Sequence, residues 1–156
     1  MTKEFEFRFE TIIVGNKIIF VALILNDKNE AMDYINGIEK RAQYSILATI
    51  QKMAQFYEFN MRNNQKFSWL HGYEFIGEIK TYKPSHRIFV IPYKLVYKRK
   101  IYKFAILLFG TPKRSQKADK RIRTQYKRAE KLKKMLLGEK DELEQKLREI
   151  LEKVGI

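Results

Sequence analysis

Between Glu78 and Lys117 the chain gathers side chains that bind phosphate or move protons. In order they are Glu78, Lys80, Tyr82, His86, Arg87, Tyr93, Lys113, Arg114, Gln116 and Lys117. This set suits cleavage of RNA without a metal. RNA carries its own nucleophile, the 2′-hydroxyl. A protein must take that proton, stabilise the charge added at phosphorus and protonate the departing 5′-oxygen. Arg and Lys hold phosphate, while His, Tyr, Glu or a lysine of depressed pKa moves protons. Simpler readings stand beside these. Glu78 and Lys80 share a strand face by period two, as a surface ion pair would. Tyr82 and Tyr93 suit stacking on bases, but aromatics near strands more often fill a core, as Trp69 is expected to do.

Other chemistries find little support. His71 and His86 have no second ligand at a recognisable spacing, Asp119 and Asp141 stand alone, and no HExxH or DxD motif is present, so no metal is expected. Gly110 is a single glycine and makes no phosphate loop, and no other cofactor is implied. With no cysteine there is neither a disulfide framework nor a thiolate nucleophile.

Charge placement narrows the partner. Residues 1–77 carry 9 basic and 9 acidic side chains, whereas residues 78–134 carry 19 basic and 3 acidic. Residues 135–156 carry 4 basic and 6 acidic. So one-sided a field steers a polyanion, and RNA is the expected partner. A membrane is not expected, because no segment joins a clean apolar face to this basic face and no apolar run nears the ~20 residues that span a bilayer. The start, MTKEFEFRFE, alternates and is charged, unlike a signal peptide, so a cytoplasmic protein is expected.

The elements that must position these groups follow from periodicity. Phe5 to Glu10 alternates as a strand, and Ile18 to Leu25 reads as a second strand paired with it, central or covered on both faces. Apolar residues recur at helical spacing over residues 30–60, with Asn29 or Asp27 as cap and Gly37 dividing a short helix from a longer one. Asn60 to Ser68 reads as a loop. Phe75 to Thr81, Arg87 to Tyr93 and Ile101 to Phe109 read as three successive strands, with Lys98-Arg99-Lys100 as a basic turn. A helix follows from about Ser115, interrupted by Gly138, and Leu136, Leu143 and Ile150 recur every seven residues. That pattern leaves a helix hairpin and a homodimer contact through the C-terminal helix both open. Lys94, Lys120 and Arg121 join the basic groups available to RNA, and the outer helix positions most simply form a wet face. The order implies an α+β domain, a mostly antiparallel sheet with helices on one face.

The same residues carry a family resemblance. Glu30 to Phe56, EAMDYINGIEKRAQYSILATIQKMAQF, resembles the paired N-terminal helices of the HigB-like branch of the RelE/ParE toxin superfamily. Gly72 to Lys80 resembles its "gly-leu-tyr-glu-leu-arg" strand, with Glu78 and Lys80 at the Glu and Arg positions. His86-Arg87-Ile88-Phe89 resembles its "tyr-arg-ile" strand. Ile106 to Gly110 followed by Lys113-Arg114-Ser115-Gln116-Lys117 resembles its C-terminal strand and basic tail. The resemblance implies a RelE-like toxin domain over residues 1–136, with an added N-terminal hairpin and a helical extension over 137–156. It implies metal-free cleavage of mRNA, usually on the ribosome, and a cognate antitoxin as partner. Arg87 would neutralise the scissile phosphate, Lys80 and Lys113 would assist, and His86 or Tyr93 would move protons. Tyr82, Lys94, Arg114, Gln116, Lys117, Lys120 and Arg121 would hold the RNA. Lys80 stands where the family has Arg, and Phe109 where it often has His. A non-catalytic RNA- or ribosome-binding protein on the same fold, or a gyrase-directed toxin, is the alternative.

Overall fold

Ile19–Leu25 is apolar at every position because it lies inside a sheet that is covered on both faces. The computed structural model describes residues 5–56, 66–113 and 120–156. Among these are the strands β1 (Phe7–Val14), β2 (Ile19–Leu25), β3 (Phe67–Trp69), β4 (Gly77–Thr81), β5 (His86–Tyr97) and β6 (Lys100–Pro112). The helices among them are α1 (Glu30–Gly37), α2 (Lys40–Phe56), α3 (Lys120–Gly138) and α4 (Lys140–Lys153).

The six strands form one sheet in the order β1-β2-β6-β5-β4-β3. The α+β class holds and the sheet is mostly antiparallel as expected, but one parallel pair makes it mixed. β2 runs parallel to β6, with Ile19 opposite Phe104 and Ala22 opposite Leu107, while the other neighbours are antiparallel. A parallel pair needs a long crossover, supplied here by everything between Leu25 and Lys100.

The helices also lie on both faces, not one. Alternate residues of the central strands enter two separate cores. Ile18, Phe20, Ile88, Val90, Ala105 and Leu107 pack with Ile35 of α1 and with Ile46, Ile50 and Met53 of α2. Ile19, Val21, Phe89, Ile91, Phe104 and Ile106 pack with Ile122, Ala129 and Leu136 of α3 and with Leu143, Leu147 and Leu151 of α4. The heptad-spaced leucines are therefore consumed inside the chain by a helix hairpin. Leu143, Leu147 and Leu151 are fully buried there, which removes the apolar stripe on which a dimer contact was expected.

Local signals set several boundaries. The Asn29 side chain accepts a hydrogen bond from the Met32 amide at 3.1 Å and caps α1. Gly37 ends α1, and Gly138 separates α3 from α4. Only β3 was unforeseen, in a stretch read as loop. A three-residue strand gives no period to detect. None of the described helices is long and apolar enough to cross a membrane.

Gly110 lets the α1 face close down. A Cβ there would overlap the Tyr34 ring and lie 2.7 Å from Ile88 Cδ1. Gly110→Ala should therefore destabilise the fold by about 1–3 kcal/mol through overpacking. The thermal unfolding midpoint checks this, and an unchanged midpoint would contradict the close approach.

Candidate active site

Strand register decides which of the chemical residues meet. In the β4–β5 pair Glu78 lies opposite Phe89, Lys80 opposite Arg87 and Thr81 opposite His86. Ser68 of β3 lies opposite Glu78. Directly paired residues share a face, so Ser68, Glu78, Lys80 and Arg87 all stand on the face that carries Phe89 and α3. Lys113, just past the end of β6, joins them through its amide, which donates to the Ser85 carbonyl at 3.0 Å.

Arg87 and Glu78 are buried there, at 4% and 6% exposure. Arg87 Nη1 donates to the Thr81 carbonyl at 3.2 Å, to Ser85 Oγ at 3.1 Å and to the His86 carbonyl at 3.0 Å. The guanidinium also lies 5.3 Å from the centre of the exposed Tyr82 ring. Its Nε is 3.6 Å from Glu78 Oε1, an ion pair too long to be a hydrogen bond. Ser68 Oγ approaches the same Oε1 at 3.4 Å. Both Arg87 Nε and Glu78 Oε2 are thus buried without a hydrogen-bond partner. Burial pushes the Glu78 carboxyl above its ordinary value, outweighing the opposite pull of Arg87, Lys113, Lys80 and the Ser68 hydroxyl. A carboxylate that holds its proton more tightly than usual, beside a fixed cation, is equipped for proton transfer next to a phosphate.

His86 does not join this group. Its neighbour Arg87 takes one face, so His86 faces α1 on the other. There its Nδ1 meets the Tyr34 hydroxyl at 2.6 Å and its Nε2 meets Glu39 Oε2 at 2.9 Å. An imidazole that donates from Nε2 to Glu39 accepts from Tyr34 at Nδ1. Desolvation, then the Glu39 charge, raises the Tyr34 phenol to about 12. Glu39, itself exposed, is lowered by its backbone hydrogen bond and then by the bond to His86. The trio ties α1 and the α1–α2 junction to β5, so the proton-transfer role expected of His86 at the Arg87 phosphate does not fit its position.

Tyr93 is likewise apart. It stands six positions along β5 from Arg87, roughly 20 Å at ~3.3 Å per residue. Its hydroxyl donates to Glu144 Oε2 of α4 at 2.5 Å. Desolvation first, then this bond and the Glu144 charge, push the phenol far above its ordinary value. Lys94 is exposed and lies opposite Lys103 in the β5–β6 pair. Lys120 and Arg121 are exposed at the start of α3. Arg114, Gln116 and Lys117 lie outside the described residues. No described group of three or more His, Cys, Asp or Glu is placed to hold a metal ion.

The residue to which the sequence reading gave too little weight is Glu78, paired there only with Lys80. The usable cue was the two-residue spacing that sets Glu78 beside the register position of Arg87. Ser68 had no such cue, because β3 was not foreseen. No family model, curated protein or solved structure matches the chain.

Two stability outcomes follow. A carboxyl whose folded pKa is raised contributes stability that is full below its unfolded value, near 4.5, and lost as pH rises through the folded value. Wild type should therefore lose unfolding midpoint relative to Glu78→Gln as pH increases from 4 to 8, whereas Glu78→Ala, which strands Arg87, should destabilise by about 3 kcal/mol at neutral pH. Parallel wild-type and Glu78→Gln curves across that range would contradict the raised carboxyl.

Proposed function

We propose that this protein is a metal-independent RNA endonuclease of the HigB-like toxin kind, acting on mRNA and held in check by a partner antitoxin. The observation that carries the reading is the buried Glu78 carboxyl beside the Arg87 guanidinium, with Lys80 and Lys113 around it. In this reading Glu78 takes the proton of the 2′-hydroxyl. The 2′-oxygen bonds to phosphorus and the bond to the 5′-oxygen breaks, leaving a 2′,3′-cyclic phosphate and a 5′-hydroxyl. Arg87 neutralises the charge that builds on the phosphoryl oxygens. The Lys80 and Lys113 ammonium groups share that task and return a proton to the departing oxygen.

The phosphate reaches Arg87 by displacing the β4–β5 turn. The contacts of Nη1 to Thr81 and Ser85 are the ones it replaces. Tyr82, exposed at that turn, offers its ring to a flanking base. The exposed basic positions of α3, among them Lys120, Arg121 and Lys127, add attraction that is independent of sequence.

A second reading, RNA binding without cleavage, is favoured by one observation: Arg87 is only 4% exposed and its Nη1 is already engaged by three protein acceptors. The assay that separates the two uses purified protein, single-stranded RNA and EDTA. The nuclease reading expects cuts that persist in EDTA and end in 2′,3′-cyclic phosphate. Arg87→Ala should lower the rate by about 10²–10³ and Glu78→Gln by about 10²–10⁴, with His86→Ala retaining cleavage wherever it remains folded. RNA bound but uncut by wild type would move the second reading to first place.

A further inference from the structure

β4 parts from β5 at the Gly77–Val90 pair, and the chain before it turns away through residues 70–76. From Ile91 onward no described strand pairs with that side of β5. The space left between this edge, the 70–76 turn and the end of α3 is a half-open cleft of about 760 Å³. Its size falls within the ~300–1,000 Å³ of small-molecule sites. Trp69, Tyr73, Phe75 and Tyr93 supply its aromatic walls, and Lys94, Lys103 and Lys133 stand around them, with Glu74 the acidic residue of the lining.

Two features mark the cleft as more than a packing fault. Phe75 is 63% exposed and holds φ +56°. A bulky aromatic in the left-handed region is an outlier that the surrounding structure must enforce, and here the outcome is an aromatic ring presented to solvent at the rim. The other walls are fixed. Tyr93 is anchored by its hydroxyl to Glu144, and Tyr73 packs edge-on against Tyr126 at 5.8 Å. Lys133 is tied to the Glu74 carbonyl and pairs with Glu130 at 3.4 Å. Exposed Lys94 lies across from Lys103, and both belong to the lining.

Aromatic faces with lysines at their edge fit an unpaired nucleotide: the base stacks and the phosphate meets the cations. A β-strand from a protein partner fits less well. Pro92 sits in the open edge with no N–H to give, and Lys94 follows two residues on. We infer that this cleft is a binding site for an unpaired nucleotide of single-stranded RNA, separate from the Glu78–Arg87 pair. A strand lying along β5 joins the two places, so the cleft would choose where RNA is held, whether or not Arg87 cuts it.

Trp69 is the one tryptophan of the chain and lines the cleft, so its fluorescence reports occupancy. Titration with a single-stranded hexauridylate should change that fluorescence saturably. Phe75→Ala should weaken binding about tenfold, Phe75→Tyr should restore it, and Lys94→Ala should flatten its salt dependence. Fluorescence and cleavage are read separately, which keeps this site distinct from the proposed nuclease: a saturable signal without cleavage upholds the cleft and sinks only the nuclease. No saturable change, an equal affinity in Phe75→Ala, an equal response to duplex RNA, or an equal response to an acidic hexapeptide would each overturn the inference.

Discussion

Burial of a carboxyl and a guanidinium side by side on one face of the sheet is the constraint from which the rest of this account follows. Removing such groups from water is costly, and their attraction offsets the penalty only with good geometry and filled hydrogen-bond positions. Here the Nη1 side of Arg87 is well satisfied, while its Nε and Glu78 Oε2 are not. Burial raises the Glu78 carboxyl above its ordinary value despite the cations beside it. Replacing a buried ion pair by apolar residues of similar size is often neutral or stabilising. The pair is therefore better explained by use than by stability, and the proposed phosphate chemistry supplies a use.

The doubly covered sheet explains how neighbouring residues take unrelated roles. His86 and Arg87 are adjacent in sequence, yet strand alternation sends one to α1 and the other to α3. His86 closes a hydrogen-bonded trio with Tyr34 and Glu39 that holds a helix in place. Arg87 meets Glu78. Tyr93 shares the Arg87 face but lies too far along β5 to act with it, and it builds the wall of a cleft instead. Three residues expected to act together thus sit in three different environments of one strand.

Much of this was legible in the chain. The uninterrupted apolar run of β2 announced a strand covered on both faces, and Gly37 and Gly138 marked the helix divisions. The paired lysines and Arg87 near the β4–β5 turn were also visible as a basic group. Three things were not. Parallel pairing of β2 with β6 is a long-range choice that leaves no local pattern. The burial of Glu78 is a tertiary outcome that leaves no local pattern, so an acidic residue in a basic stretch looked like a surface partner for Lys80. The cleft exists because β4 is shorter than β5, a difference in strand length that periodicity does not report.

The central claim is that burial raises the Glu78 carboxyl beside Arg87 above its ordinary value, which makes it a stronger base for proton transfer. The most direct measurement follows the Glu78 side-chain carboxyl carbon by ¹³C NMR through a pH titration of the folded protein. The account predicts a midpoint clearly above the ordinary 4.5 that falls toward it on unfolding. A midpoint at or below 4.5 would mean that Arg87 and the lysines dominate, that Glu78 is an ordinary ion-pair partner, and that it has no place in proton transfer.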